Sequence, residues 1–122
     1  QNFEKGKTVF YPNGYSNYFF HPTHPHELII VSTENNKVSI LNCLSGEIVR
    51  TISKGKEYAF CNIDPVTGNY LFRNSYYVLI TNENGDELFR MRSEDASPYL
   101  ANNILTCWAG AAINVEPYLK KP

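Results

Sequence analysis

The sequence predicts an all-β protein, a stack of short antiparallel sheets, and three observations carry that prediction. The first is an internal repeat. Shifted by 40 residues, the chain sets Tyr18 on Tyr58, Phe20 on Phe60 and Pro25 on Pro65. The same shift sets Val38 on Val78, Ile40 on Ile80, Asn42 on Asn82, Glu47 on Glu87, Ile48 on Leu88 and Arg50 on Arg90. A period of this length marks a supersecondary unit that cannot bury its apolar face alone, so neighbouring units must stack. The second is the aromatic content, nine Tyr and seven Phe, which favours strands over helices. The third is the grammar of the chain: short apolar or alternating runs between Gly, Asn and Pro turns, with no long helical period.

Thr8–Tyr11 reads as an N-terminal strand segment, closed by Pro12-Asn13-Gly14. The first unit, residues 17–56, opens with the aromatic run Asn17–His21, which Pro22 and Pro25 break. Leu28–Thr33 is a continuous apolar, β-branched strand, and Glu34-Asn35-Asn36 turns it. Lys37–Asn42 alternates, with Val38 and Ile40 on one face, and Ser45-Gly46 leads into Glu47–Ile52. The second unit, 57–96, repeats this order with Glu57–Ile63, Asn69–Arg73, Tyr77–Asn82 and Glu87–Arg92. Asn84-Gly85 is its strongest type I′ hairpin signal. Residues 97–122 hold a degenerate third copy, with Pro98–Asn102, Ile104–Trp108 and Ala112–Val115 as its strands. The whole chain reads as one domain whose core draws on Phe20, Ile30, Val38, Ile40, Phe60, Leu71, Val78, Ile80 and Trp108.

The segments "HELIIVSTENNKVSILNCLSGEIVRTI" and "DPVTGNYLFRNSYYVLITNENGDELFRM" resemble consecutive blades of a WD-repeat or quinoprotein-like β-propeller. The resemblance covers residues 17–108 and implies four-stranded blades. Neither the Trp-Asp pair nor the Gly-His pair of the WD type is present, so its Asp–His–Trp network does not carry over. Two blades and a worn third are fewer than the 4–8 of a closed ring, which implies an open or incomplete propeller.

Composition excludes several functions. Eleven basic and twelve acidic residues give a net charge of −1, without the basic footprint of a nucleic-acid or anionic-membrane binder. No run reaches the ~18 apolar residues of a membrane helix. The first residue is Gln1 and not Met, from which an exported, periplasmic or secreted protein is the expectation over a cytoplasmic one. Cys43, Cys61 and Cys107 form no C-x-x-C pair and read as buried free thiols.

Catalytic grammar is missing too. No G-x-S-x-G occurs, the seven glycines are scattered singly, and no third residue orients a Cys/His pair. His21, His24 and His26 form the one titratable cluster. With no further ligand or supporting shell to name, they read as an exposed loop, and neither a metal nor a cofactor is expected. On the propeller template the turns between central strands share a rim with the links between units. That rim gathers Asn35, Asn36, Lys54, Lys56, Arg73, Ser75, Tyr76, Glu94 and Asp95 as a partner-binding surface.

The expected function is therefore a non-enzymatic protein-binding module. A narrower expectation, drawn by analogy with small β immunity proteins, is an inhibitor that blocks a partner enzyme such as a secreted cell-wall hydrolase. Two alternatives stand beside it: a propeller fragment that completes a ring by self-association, and a small metal-dependent enzyme using the histidines.

Overall fold

The computed structural model describes residues 13–32, 34–93, 97–107 and 110–121. The expected strand at Thr8–Tyr11, the core role of Trp108 and the rim residues Glu94 and Asp95 lie outside the described residues. The described chain is all-β: three small antiparallel sheets and one short 3-10 turn, Glu116–Tyr118. The first sheet runs β1 (Asn17–Phe20), β2 (Glu27–Val31), β3 (Val38–Asn42) and β4 (Ile48–Ile52). The second runs β5 (Ala59–Ile63), β6 (Tyr70–Arg73), β7 (Tyr77–Thr81) and β8 (Glu87–Arg92). The third has β9 (Tyr99–Ala101), β10 (Ile104–Thr106) and β11 (Ala112–Asn114), each strand beside its neighbour in sequence. Among the described residues the sheets do not close into a ring.

Two apolar layers separate the three sheets. Ile29, Val31, Val38, Ile40 and Ile52 of the first meet Tyr58, Ile63, Tyr70, Phe72 and Leu79 of the second. On its other side the second sheet presents Leu71, Val78 and Ile80 to Leu100, Leu105 and Val115. β6 and β7 are thus buried on both faces, which is why they read as unbroken apolar runs and not as alternating ones.

The 40-residue repeat holds for the third strand of each unit and slips elsewhere. Val38 and Ile40 do match Val78 and Ile80, and all four are buried. However, Ile29 faces Ile40 whereas Leu71 faces Ile80, so the second strands are offset by 42 residues. Tyr18 faces Ile30 and Phe60 faces Phe72, which pairs Tyr18 with Phe60 and not with Tyr58. The cause is the connection before β3: residues 32–37 separate Val31 from Val38, whereas only 74–77 separate Arg73 from its partner Val78. A slip of two residues leaves every side chain on its own face, so the alternation survives it. The fourth strands slip by one residue the other way, to an offset of 39: Arg50 faces Ile40 while Phe89 faces Ile80, so Arg50 matches Phe89 and not Arg90.

One turn geometry recurs. The N–H of Asn36, Gly46 and Gly68 each donates to the carbonyl four residues back, at 2.8, 2.8 and 2.9 Å. All three residues have positive φ, at 56°, 79° and 80°. Asn84-Gly85 does not form the expected type I′ turn. Only Gly85 has positive φ, at 89°, and Asn82 N–H reaches Asp86 C=O at 3.0 Å. That is a three-residue loop with a left-handed third residue. Two consecutive left-handed residues, as type I′ requires, occur instead at Asn102 and Asn103, with φ of 52° and 61°.

Polar side chains lock the third sheet onto the second. Asn62 on β5 copies a strand partner: its side-chain amide donates to Leu100 C=O at 2.9 Å, and its oxygen accepts Leu100 N–H at 3.2 Å. Asp64, fully buried, accepts four backbone amides. Val66 and Thr67 donate from its own turn at 2.8 and 3.2 Å, and Asn102 and Asn103 from the β9–β10 turn at 2.8 and 2.9 Å. Burial pushes the carboxyl's pKa up, but the amides of Asn103, Val66, Asn102 and Thr67 together pull it below the ordinary 3.8.

Removing the Asp64 carboxylate leaves these amides without their acceptor. Asp64→Ala is expected to cost roughly 2–4 kcal/mol by urea unfolding, with Asp64→Asn losing less. The folded carboxyl holds its proton less tightly than the unfolded one. Its stabilisation is therefore fully present above about pH 4 and is lost as pH falls through the lower folded value. A parent protein whose unfolding midpoint matched that of Asp64→Ala would remove this role.

Gly85 supplies the second test of the fold. A Cβ there would lie 3.3 Å from Ile52 Cγ2, on a residue already at positive φ. Gly85→Val is expected to destabilise by about 1–3 kcal/mol through backbone strain. Differential scanning calorimetry of the variant beside the parent measures it.

Candidate functional site

The described residues leave three places where chemistry or recognition can occur: the expected rim, the histidine loop, and the inner edge formed by β1.

The rim divides. Asn36 sits at the left-handed position of the β2–β3 turn, and its side-chain amide donates to the Lys56 carbonyl in the link between sheets. Asn35 Oδ1 accepts Lys37 N–H at 3.2 Å and shapes the same turn. In the β6–β7 turn Asn74 Oδ1 accepts the amides of Tyr76 and Tyr77 at 2.8 and 2.7 Å, which presents Ser75 and Tyr76 outward. Tyr76 is 55% exposed, and the Arg92 guanidinium stands 5.5 Å from its ring. Tyr76 C=O also accepts Ser93 N–H at 2.7 Å. Arg73 is half-buried at the end of β6. The Lys54 ammonium donates to Gly85 C=O at 3.0 Å, in the β7–β8 turn. Arg50 of β4 pairs with Glu83 of the same turn at 3.7 Å.

The histidine loop is more ordered than an exposed connection. His21 and His24 rings lie 4.4 Å apart, and Glu27, a donor the sequence reading missed, joins them. Their ligand atoms fall within 4.8 Å of one another, and His26 is not in the group. Two imidazoles and a carboxylate are a metal-type donor set. The hydrogen bonding at His21 opposes that use. Its Nδ1 accepts Thr23 N–H at 3.2 Å and His24 N–H at 3.3 Å, so the ring proton of the neutral form is on Nε2. A metal-bound imidazole instead donates from its second nitrogen, and that polarity is reversed here.

Burial lowers the His21 pKa below the ordinary 6.5. His24 and Arg50 push the same way, while Glu27 and Glu83 oppose them. Glu27 Oε1 is buried with no hydrogen-bond partner.

At β1 the structure corrects the expected core. Phe20 is 82% exposed, Tyr18 54% and Phe19 42%. Among the described residues β1 pairs with β2 alone, on one of its two edges. Phe19 leans on Phe60 at 5.5 Å, and Tyr18 and Phe20 meet edge to face at 6.1 Å. Beside them lies a cleft of about 160 Å³ lined by Phe19, Phe20, Pro22, Phe60, Cys61 and Tyr99. A volume near that accepts a benzene-sized group. Tyr99, half exposed, forms the far wall from the third sheet.

The thiols differ from one another. Cys43 is exposed, against the expectation of a buried thiol, because it opens the β3–β4 turn; Cys61 and Cys107 are half-buried, and none of the three is in a disulfide. Burial pushes the Cys61 thiol up to about 12, with Arg73 offsetting a little. Such a group is neither nucleophile nor ligand at neutral pH.

Comparison with family models, curated proteins and solved structures finds no match. Geometry therefore carries the functional reading.

Alkylation of the native protein at pH ~7.5 is expected to label Cys43 well before Cys61, since labelling needs both exposure and thiolate. Peptide mass mapping over time reads this. Equal labelling rates would contradict the burial of Cys61.

Proposed function

We propose that this chain is a non-enzymatic protein-binding module whose main contact is the open edge and aromatic face of β1. The observation that carries the reading is the exposure of three consecutive aromatics, Tyr18, Phe19 and Phe20, on a strand paired on one edge only among the described residues. Such edges attract another strand, and soluble proteins seldom leave one both apolar and open. A partner segment in extended conformation would add to β1 through its backbone. It would place one apolar side chain in the cleft between Phe19 and Tyr99. The rim at Tyr76, backed by Arg92, offers a second aromatic contact.

Ring completion by self-association is less well supported. The outward face of the third sheet carries Tyr99, Ala101, Ile104, Thr106, Ala112 and Asn114, by the pairing of β9, β10 and β11. Four of these six, Ala101, Thr106, Ala112 and Asn114, are small or polar, a poor match for the apolar faces that meet between the sheets inside the chain.

Phe20 touches little of the fold, so Phe20→Ala is expected to leave the unfolding midpoint unchanged. It is expected to weaken a partner complex by roughly 2 kcal/mol or more, as an anchor would. Tyr76→Ala should cost less. The measurement is affinity capture from the source organism, followed by titration calorimetry of the identified partner against both variants. A partner insensitive to Phe20→Ala and lost with Tyr76→Ala would move the binding face to the rim.

A further inference from the structure

His21 and Asp64 occupy the same place in successive units. Phe20, facing Leu28, is the last paired residue of β1, and His21 follows it. Ile63, facing Tyr70, is the last paired residue of β5, and Asp64 follows that. Asp64 Oδ1 accepts the amides two and three residues on, from Val66 and Thr67. His21 Nδ1 likewise accepts the amides two and three residues on, from Thr23 and His24. The second unit closes this turn with an acceptor that stays ionised above pH ~4, whereas the first closes it with an imidazole, which titrates near neutrality.

We propose that His21 is an acid-sensitive latch: its neutral ring closes the β1–β2 turn by accepting the Thr23 and His24 amides, and protonation of Nδ1 opens that turn. An imidazolium has no lone pair left to accept an amide. It does have a counter-charge nearby, because Glu27 Oε1 is buried without a partner, and Glu27, His21 and His24 lie within 4.8 Å. The groups facing the ring are His24 from the turn, Glu27 from β2, Arg50 from β4 and Glu83 from the β7–β8 turn. The balance of burial, His24 and Arg50 over Glu27 and Glu83 keeps the closed ring neutral. The closed turn is thus fully favoured above the open-chain value of 6.5. It loses that advantage as pH falls below 6.5, until the folded ring itself takes a proton. Pro22 in this turn and Phe20 beside it line the β1 cleft. The consequence for docking rests on the proposed binding role; the latch itself does not.

Amide exchange by NMR on the full chain, at pH about 7.5 and about 5.5, tests the latch without any partner. Protection of the Thr23 and His24 amides is expected to fall by up to about tenfold at the lower pH. Protection of Val66 and Thr67, held by Asp64, should not change. In His21→Asn the side-chain oxygen does not titrate, and Thr23 and His24 should stay equally protected at both values. His21→Asp, a copy of the Asp64 arrangement, should behave the same way in this range. Equal protection at both pH values in the parent overturns the proposal, and so does an undiminished loss in either variant.

Discussion

Tyr70, Leu71 and Phe72 on β6 and Val78, Leu79 and Ile80 on β7 are all buried, although adjacent residues on a strand point to opposite sides. The middle sheet must therefore be covered twice. Each of these side chains gains roughly 1.5–3 kcal/mol by leaving water, and half of that gain would vanish if either flanking sheet were lost. The first sheet supplies one cover with Ile29, Val31, Val38, Ile40 and Ile52. The three short strands of the third supply the other with Leu100 and Leu105, and Val115 completes it. A chain this short builds a stable core from small sheets because its most completely buried sheet sits in the centre.

Apolar burial has no direction, so it cannot by itself fix how a three-stranded sheet lies on a four-stranded one. Asn62 and Asp64 supply the direction. Asn62 reads the backbone of Leu100, and Asp64 reads two successive amides of the Asn102-Asn103 turn. That turn needs both asparagines at positive φ, a conformation that Asn tolerates better than bulkier residues do. A displacement of the third sheet by one residue would strand a buried carboxylate, a far larger penalty than the loss of an apolar contact. The clamp selects one arrangement among several that the apolar layer alone would allow.

These facts also mark what the sequence disclosed. The eight strands of the two full units were legible because their runs are apolar or alternating and their turns carry Asn, Gly and Asp at positions that need them. Val38, Ile40, Val78 and Ile80 were legible as core for the same reason. Phe20 was not. An aromatic in a strand reads as core whichever face it takes, and whether a neighbour covers that face is a tertiary fact. The kinship of His21 with Asp64 was hidden by the constant shift of 40, which sets His24 opposite Asp64. The true offset there is 43 residues: the shorter connection between β6 and β7 supplies two beyond 40, the register shift between Phe60 and Asn62 supplies the third, and no single residue signals either. Glu27 was missed because it lies outside the histidine spacing and enters the group through the fold of the turn.

The two four-stranded sheets differ at their first strands, and the difference bears on the proposed binding role. In the second, β5 is half-buried or buried throughout, and its end is held by a buried carboxylate shared with the next sheet. In the first, β1 is exposed along its length, and its end is held by an imidazole that bonds only within its own turn. Change at β5 therefore costs stability, because four amides and two sheets depend on it. Change at β1 disturbs one turn and an edge already in water. Recognition is tolerated where the fold depends least on the residues that perform it. The inner strand of the first unit meets that condition, whereas its counterpart in the second is committed to holding the stack together.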